Sequence, residues 1–261
     1  MTARGFFVLA FLCALALASS PAHAQETAGA AASAAEALTL DLSGGGLLTE
    51  RIVQIVALVT ILSLAPSILI MMTSFVRIVV VLSLLRTAIG AQQSPPNSVI
   101  VSLALFLTFF VMAPTFEAAY DAGIAPLMKQ EITTEEALER SSVPVRTFLV
   151  AHTRQADLSL FLDMAGEGAP ESADETPMRA LIPAFMLSEL KRAFEIGFLL
   201  FVPFLVIDMA IASVLMSMGM MMLPPIIISL PFKLIFFVLV DGWRLVAGSL
   251  VESYASGPPP G

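Results

Sequence analysis

"FEIGFLLFVPFLVIDMAIASVLMSMGMMMLPP" occupies residues 194–225. From Phe194 to Leu223 it runs thirty residues with charges only at Glu195 and Asp208. As one α-helix it would be about 45 Å long, against a hydrocarbon core of about 30 Å. A single upright membrane span does not fit. Pro224-Pro225 ends the run, because paired prolines cannot continue a helix. Residues 226–240 then return as a second apolar arm. At the turn, residues 216–222 hold five of the chain's fourteen methionines.

The same plan appears upstream. Residues 52–72 are uncharged after Arg51 and long enough to span a bilayer, with Pro66 expected to kink rather than end the helix. Apolar character resumes over residues 76–85, with Arg77 and Arg86 embedded in and after it. Gln92-Gln93-Ser94-Pro95-Pro96-Asn97 breaks the chain, and residues 98–116 form another uncharged run. Long arm, Pro-Pro tip and returning arm thus occur twice, as pattern rather than as repeated residues. The composition agrees: 57% hydrophobic and 13% charged residues, with mean hydropathy +0.90, belong to helical membrane proteins.

The first segment reads as a leader. Arg4 supplies the positive start, residues 6–17 an apolar core too short to span, and Ala22-His23-Ala24 a small-x-small cleavage pattern. Cleavage after Ala24 removes residues 1–24, Cys13 and His23 among them. The mature chain then has no cysteine, so disulfides, thiol catalysis and Cys-ligated zinc are excluded. Its one histidine, His152, lies in a polar stretch and reads as solvated. Residues 25–50 are rich in Ala, Ser and Gly and read as a flexible exported tail.

Residues 117–182 differ in kind. Twelve acids and five bases give them a net of −7, nearly all of the chain's −8. Thr133-Thr134-Glu135-Glu136 fits a capping box and predicts a helix start. Ser142-Val143-Pro144 predicts another, since proline suits a first helical position. The organisation expected is a first hairpin over residues 51–116, a water-exposed acidic insert over 117–182, a second hairpin over 183–254 and a short tail over 255–261. With the mature N-terminus outside, Arg77 and Arg86 fall on the cytoplasmic side, as positive-inside requires. The insert is then periplasmic, and both Pro-Pro tips point to the cytoplasm.

Charged groups within apolar arms need partners. Arg77 and Arg86, nine residues apart, face opposite sides of a helix and cannot share one anion. Glu189 with Arg192 (i,i+3) and Lys191 with Glu195 (i,i+4) can neutralise one another locally, or exchange pairs with a neighbouring subunit. Asp208 lies sixteen residues before Pro224 and Lys233 eight after Pro225. They are therefore not level in a simple hairpin, and a partner in another subunit is expected for each. No HExxH, P-loop or G-x-S-x-G occurs, so enzymatic chemistry is not expected. No cofactor or nucleic-acid partner is expected either.

Several stretches together resemble the FliP family. They are "PAFMLSEL" (183–190), "AFEIG" (193–197), "PFLVIDM" (203–209) with Ala212-Ser213, "MGMMM" (218–222), "LPFKL" (230–234) and "DGW" (241–243). Upstream, "TSFVR" (73–77) and "QQSPPN" (92–97) agree. The resemblance covers residues 52–254. It implies the export gate of a type III secretion system in the bacterial inner membrane. FliP-family subunits form a pentamer that joins FliQ and FliR in a closed, helically staggered pore. FlhB and FlhA lie nearby, FliO assists assembly, and unfolded rod, hook and filament subunits pass through. Injectisome relatives (the SctR type) lack a cleaved leader, so the leader favours the flagellar branch and its basal body. The implied fold class is an all-α membrane protein: two long broken hairpins and a helical insert, assembling into a ring-like pore. The family's methionine-rich loop is a pore gasket, and by position it maps onto Met218, Met220, Met221 and Met222. An unbranched thioether suits that role, since it packs on irregular surfaces and rearranges at low cost. The competing reading is a small secondary transporter or ion channel with Asp208 as coupling site.

Overall fold

The computed structural model describes residues 47–91, 94–168, 176–220 and 223–255. The expected leader with Ala22 and Ala24, the exported tail up to residue 46, Met221, Met222 and the tail from 256 onward lie outside them. Two compact units divide at Ile68. Every regular element among the described residues is helical.

Helix α1 (Leu47–Met71) forms nearly all of the first unit's described structure. Its Thr60 and Ser63 hydroxyls donate to the Val56 and Val59 carbonyls, which satisfies them inside an apolar helix. The chain does not continue as one rod into the next arm. Thr73 folds its hydroxyl back onto the Ile70 carbonyl at 2.9 Å, and α2 (Phe75–Ile89) starts afresh. Gly90, at φ +88°, caps α2 in the left-handed region that favours glycine.

After the Pro95-Pro96 turn, α3 (Asn97–Ala119) packs back on α2. Within the second unit, α2 and α3 thus form a hairpin around that tip. A π-helical turn (Tyr120–Ile124) and α4 (Ala125–Met128) prolong α3 into one apolar run of 32 residues. Gly123 sits in that turn because a Cβ there would strike the Ser141 hydroxyl and the Ala137 carbonyl of α5.

Helix α5 (Thr134–His152) begins at the expected capping box: Glu136 N–H donates to Thr133 Oγ1 (3.3 Å), and Thr133 N–H donates to Glu136 Oε2 (3.1 Å). The expected second start at Pro144 does not occur. The helix passes through Pro144, forgoing one backbone bond, and Ser142 donates to the Glu139 carbonyl instead of capping. Helix α6 (Gln155–Ala165) follows and lies on α7.

Helix α7 (Met178–Ser217) is forty residues long, begins well before the apolar run at Phe194, and holds Pro183 and Pro203 without ending. The core is built mainly where α2 meets α7: Ile78, Val81, Leu82 and Leu85 against Leu181, Ala184, Phe185 and Ala193, all buried. Gly197 lets Leu84 lie directly on the α7 backbone. Helix α8 (Pro225–Leu239), with proline in its first turn, returns along α7. Helix α9 (Gly242–Ala255) leaves it at 62° through Asp241, which adopts φ +51°.

Among the described residues two helical runs are long and apolar enough to cross a membrane, Asn97–Met128 and Met178–Ser217, and the bent α8–α9 pair makes a third if it counts as one span.

Candidate functional site: two buried charge clusters and a methionine-bearing turn

The first cluster joins α2, α7 and α9. Arg77 and Glu189 are both fully buried. Arg77 Nε donates to Glu189 Oε2 at 2.8 Å, and Nη2 donates to Oε1, a bidentate pairing. Arg77 Nη1 reaches Ser253 Oγ at 3.1 Å, and its guanidinium lies 3.8 Å from the Tyr254 ring centroid. The Tyr254 hydroxyl donates to Glu189 Oε2. Both carboxylate oxygens are thus engaged by charged or phenolic donors, Oε2 by two of them. Its spacing left Glu189 open to pair with Arg192 locally or with a neighbouring subunit. It pairs across helices instead, because only Arg77 is buried with it. Arg192 is half-buried, within electrostatic reach of Glu189 and Glu195.

His152 is not solvated as its polar sequence context suggested. It is buried between Phe148 and Tyr254, with ring centroids 4.4 and 5.2 Å away. Its Nδ1 lies 2.8 Å from the Phe148 carbonyl and its Nε2 3.4 Å from that of Tyr254. One residue before Glu189, Ser188 donates to Asp157 Oδ2 at 2.6 Å and accepts from Arg154 N–H at 3.0 Å. Arg154 closes the set with a bidentate pair to Asp157 at 2.8 and 2.7 Å. The acidic insert is therefore bolted to α7 beside the Arg77–Glu189 pair.

The second cluster corrects an expectation. Lys233 Nζ donates to Asp208 Oδ2 at 2.7 Å within one chain. Counting from the prolines misplaced the pair, because residues 218–224 belong to neither helix. Counted along the helices, Asp208 is about 14 Å before the end of α7 and Lys233 about 12 Å beyond the start of α8. They are level. Ser229 donates to Asp208 Oδ1 at 2.5 Å, and Lys233 also donates to the Ala88 carbonyl at 3.2 Å, in the last turn of α2. The sequence carried this signal: Ser229 and Lys233 are the only polar side chains of α8, and their i,i+4 spacing puts them on one face. Tyr254 and Ser253 carried none, since nothing in a C-terminal helix pointed to Arg77.

The remaining charges are more exposed. Arg86 Nη1 donates to the Pro95 carbonyl (3.2 Å) and Asn97 Oδ1 (2.5 Å), tying α2 to its own tip. Lys191 and Glu195 are exposed and 3.8 Å apart, a weak surface pair.

Beyond the second cluster the chain turns. Met220 N–H donates to the Leu215 carbonyl at 3.0 Å and Gly219 N–H to that of Met216 at 3.1 Å. With Gly219 at φ +74°, this is a Schellman end to α7. Met216, Met218 and Met220 all stand exposed on it. Among the described residues no group of three or more His, Cys, Asp or Glu is placed to hold a metal ion.

The sequence profile of the FliP family matches residues 58–250. The flagellar biosynthetic protein FliP of Caulobacter vibrioides is 63% identical over 250 residues, covering 96% of this chain and 91% of that protein. The protein of the same name from Bacillus subtilis is 54% identical over 202 residues, covering 77% of this chain and 91% of its own length. That from Aquifex aeolicus is 52% identical over 213 residues, covering 81% and 89%. With its apolar helices and this match across most of its length, the chain belongs to the FliP family of flagellar biosynthetic proteins.

Proposed function

We propose that this protein is a pore subunit of the flagellar type III export gate. It works with further copies of itself, as a pentamer, and with FliQ and FliR; FlhB and FlhA stand nearby and FliO assists assembly. Unfolded flagellar subunits pass through the ring across the inner membrane, and the turn bearing Met218, Met220, Met221 and Met222 seals it at rest. One observation carries the reading. Large apolar side chains stay exposed along α7 from Leu187 to Met216, among them Phe194, Phe198, Val202, Val206 and Met209. That stretch is about 44 Å long, well beyond a hydrocarbon core of about 30 Å. Lipid cannot cover all of it, so protein neighbours must. The exposed Lys191–Glu195 pair heads the same face and is suited to exchange partners with a neighbouring subunit.

The methionine turn stands at the end of this helix. Unbranched thioethers from several copies can close on small ions and still yield to a polypeptide of any sequence. A transporter built on Asp208 is disfavoured, because both its carboxylate oxygens are already engaged, by Lys233 and Ser229. The test is small-ion leak in cells carrying Met220, Met221 and Met222 all as alanine, with assembly verified. Leak through an assembled complex is the expected result. An assembled, tight complex would overturn the sealing role.

A further inference from the structure

We propose that Asp208, Ser229 and Lys233 are positioning residues for the seal: a three-helix clamp that fixes the height and rotation of the methionine turn. The inference rests on the turn being the seal. Its physical basis is that, among the described residues, Asp208 with Ser229 and Lys233 forms the polar contact between two otherwise apolar helix faces. Apart from the face that bears Ser229 and Lys233, helix α8 is apolar, with Ile226, Ile227, Phe232, Ile235 and Val238 exposed. Two such helices can slide past one another by a turn and bury similar area, because apolar packing is tolerant of which apolar residues meet. An ion pair with a buried lysine and a half-buried aspartate is not tolerant. Moving α8 by one turn, about 5 Å, would leave Lys233 (4% exposed) and Asp208 without partners in an apolar setting.

The clamp also has a fixed reference point. Lys233 divides its donors between Asp208 and the Ala88 carbonyl, so the α7–α8 hairpin is registered against the end of α2. Leu230, three residues before Lys233, meets Gly90, the left-handed cap of that helix. Two residues past Gly90 begins the tip that Arg86 holds through Pro95 and Asn97. The Pro-Pro tip and the α7–α8 hairpin are therefore both tied to the last turns of α2. Nearer the turn, Leu215 is the last buried side chain of α7, and beyond it the methionines are exposed. The height of the seal is thus set at the clamp, not in the turn.

The experiment measures position directly. Spin labels go on Val214→Cys and Ile227→Cys, both exposed, with Cys13, the chain's one cysteine, changed to alanine. The inter-label distance is read in the assembled complex alongside ion leak. Replacing both charges by leucine (Asp208→Leu with Lys233→Leu) removes the pair without stranding a charge. The expected result is a broadened distance distribution, or one displaced by about 5 Å, with leak raised several-fold. The swap Asp208→Lys with Lys233→Asp restores a pair but aims a carboxylate at the Ala88 carbonyl, so it should not restore the distance. An unchanged, narrow distance in the leucine pair overturns the clamp. If that pair does not assemble, Ser229→Ala decides by the same distance, since it removes one donor and no charge. The methionine-to-alanine triple separates the two ideas. A tight triple with a shifted leucine pair removes the seal and keeps the positioning; a leaking triple with an unshifted leucine pair does the reverse.

Discussion

Replacing Glu189 by glutamine tests a charge that, like Arg77, is fully buried. The side chain keeps its size, but one carboxylate oxygen becomes an amide NH2 facing donors. Arg77, fully buried, then keeps only one good acceptor on residue 189, plus Ser253 Oγ and the Tyr254 ring. Breaking one side of such a pair costs about 3–5 kcal/mol, roughly a hundredfold to a few thousandfold in the folding equilibrium. The neutral double variant Arg77→Met with Glu189→Leu should sit within about 2 kcal/mol of wild type, because no charge is stranded. Its main residual loss is the Tyr254 hydroxyl, which keeps only the Ser74 carbonyl at 3.4 Å. Trp243, the chain's one tryptophan, packs edge-on to Phe237 with centroids 5.3 Å apart and reports unfolding by fluorescence. Denaturant midpoints of the purified protein, wild type and variants, supply the numbers. A cost below about 1 kcal/mol for Glu189→Gln would refute the reasoning. So would a double variant as damaged as the sum of the singles, since a paired charge must be rescued by removing its partner.

Other consequences are simpler. Gly123→Ala should destabilise the insert by more than about 2 kcal/mol, because the new methyl meets a backbone carbonyl of α5 that cannot give way; faster proteolysis between residues 117 and 182 would show it. Gly197→Val should separate α2 from α7 by forcing Leu84 aside, lowering the thermal midpoint by several degrees. Thr133→Ala removes the capping box of α5 and should cost about 1 kcal/mol, with hydrogen exchange accelerated in the first turn of that helix alone.

The all-helical, apolar character of the chain was legible because apolar run length acts locally. The capping box at Thr133 was legible for the same reason. Pro144 misled because a helix already under way from the Thr133 cap, eleven residues earlier, carries through it. His152 misled because polar neighbours in sequence say nothing about a face that stacks on a helix a hundred residues away. For Asp208 and Lys233, distance was measured from the prolines, whereas the seven-residue turn belongs to no helix. The face shared by Ser229 and Lys233 was readable, and it pointed to an acidic partner. Arg77 needed its anion, but which of several carboxylates would supply it depended on tertiary packing. Met221 and Met222 lie outside the described residues, so the family resemblance and the exposed Met218 and Met220 carry their role.

The central claim is that the methionine turn lines the path of the exported chain. A photocrosslinking residue at Met220, in cells holding a flagellar subunit stalled during export, tests it directly. The account predicts a covalent adduct with the stalled subunit from position 220 and none from Met164, which is more exposed than Met220 but lies on α6 of the insert. Adduct formation at position 164 without any at 220, in a complex that still exports, would contradict it.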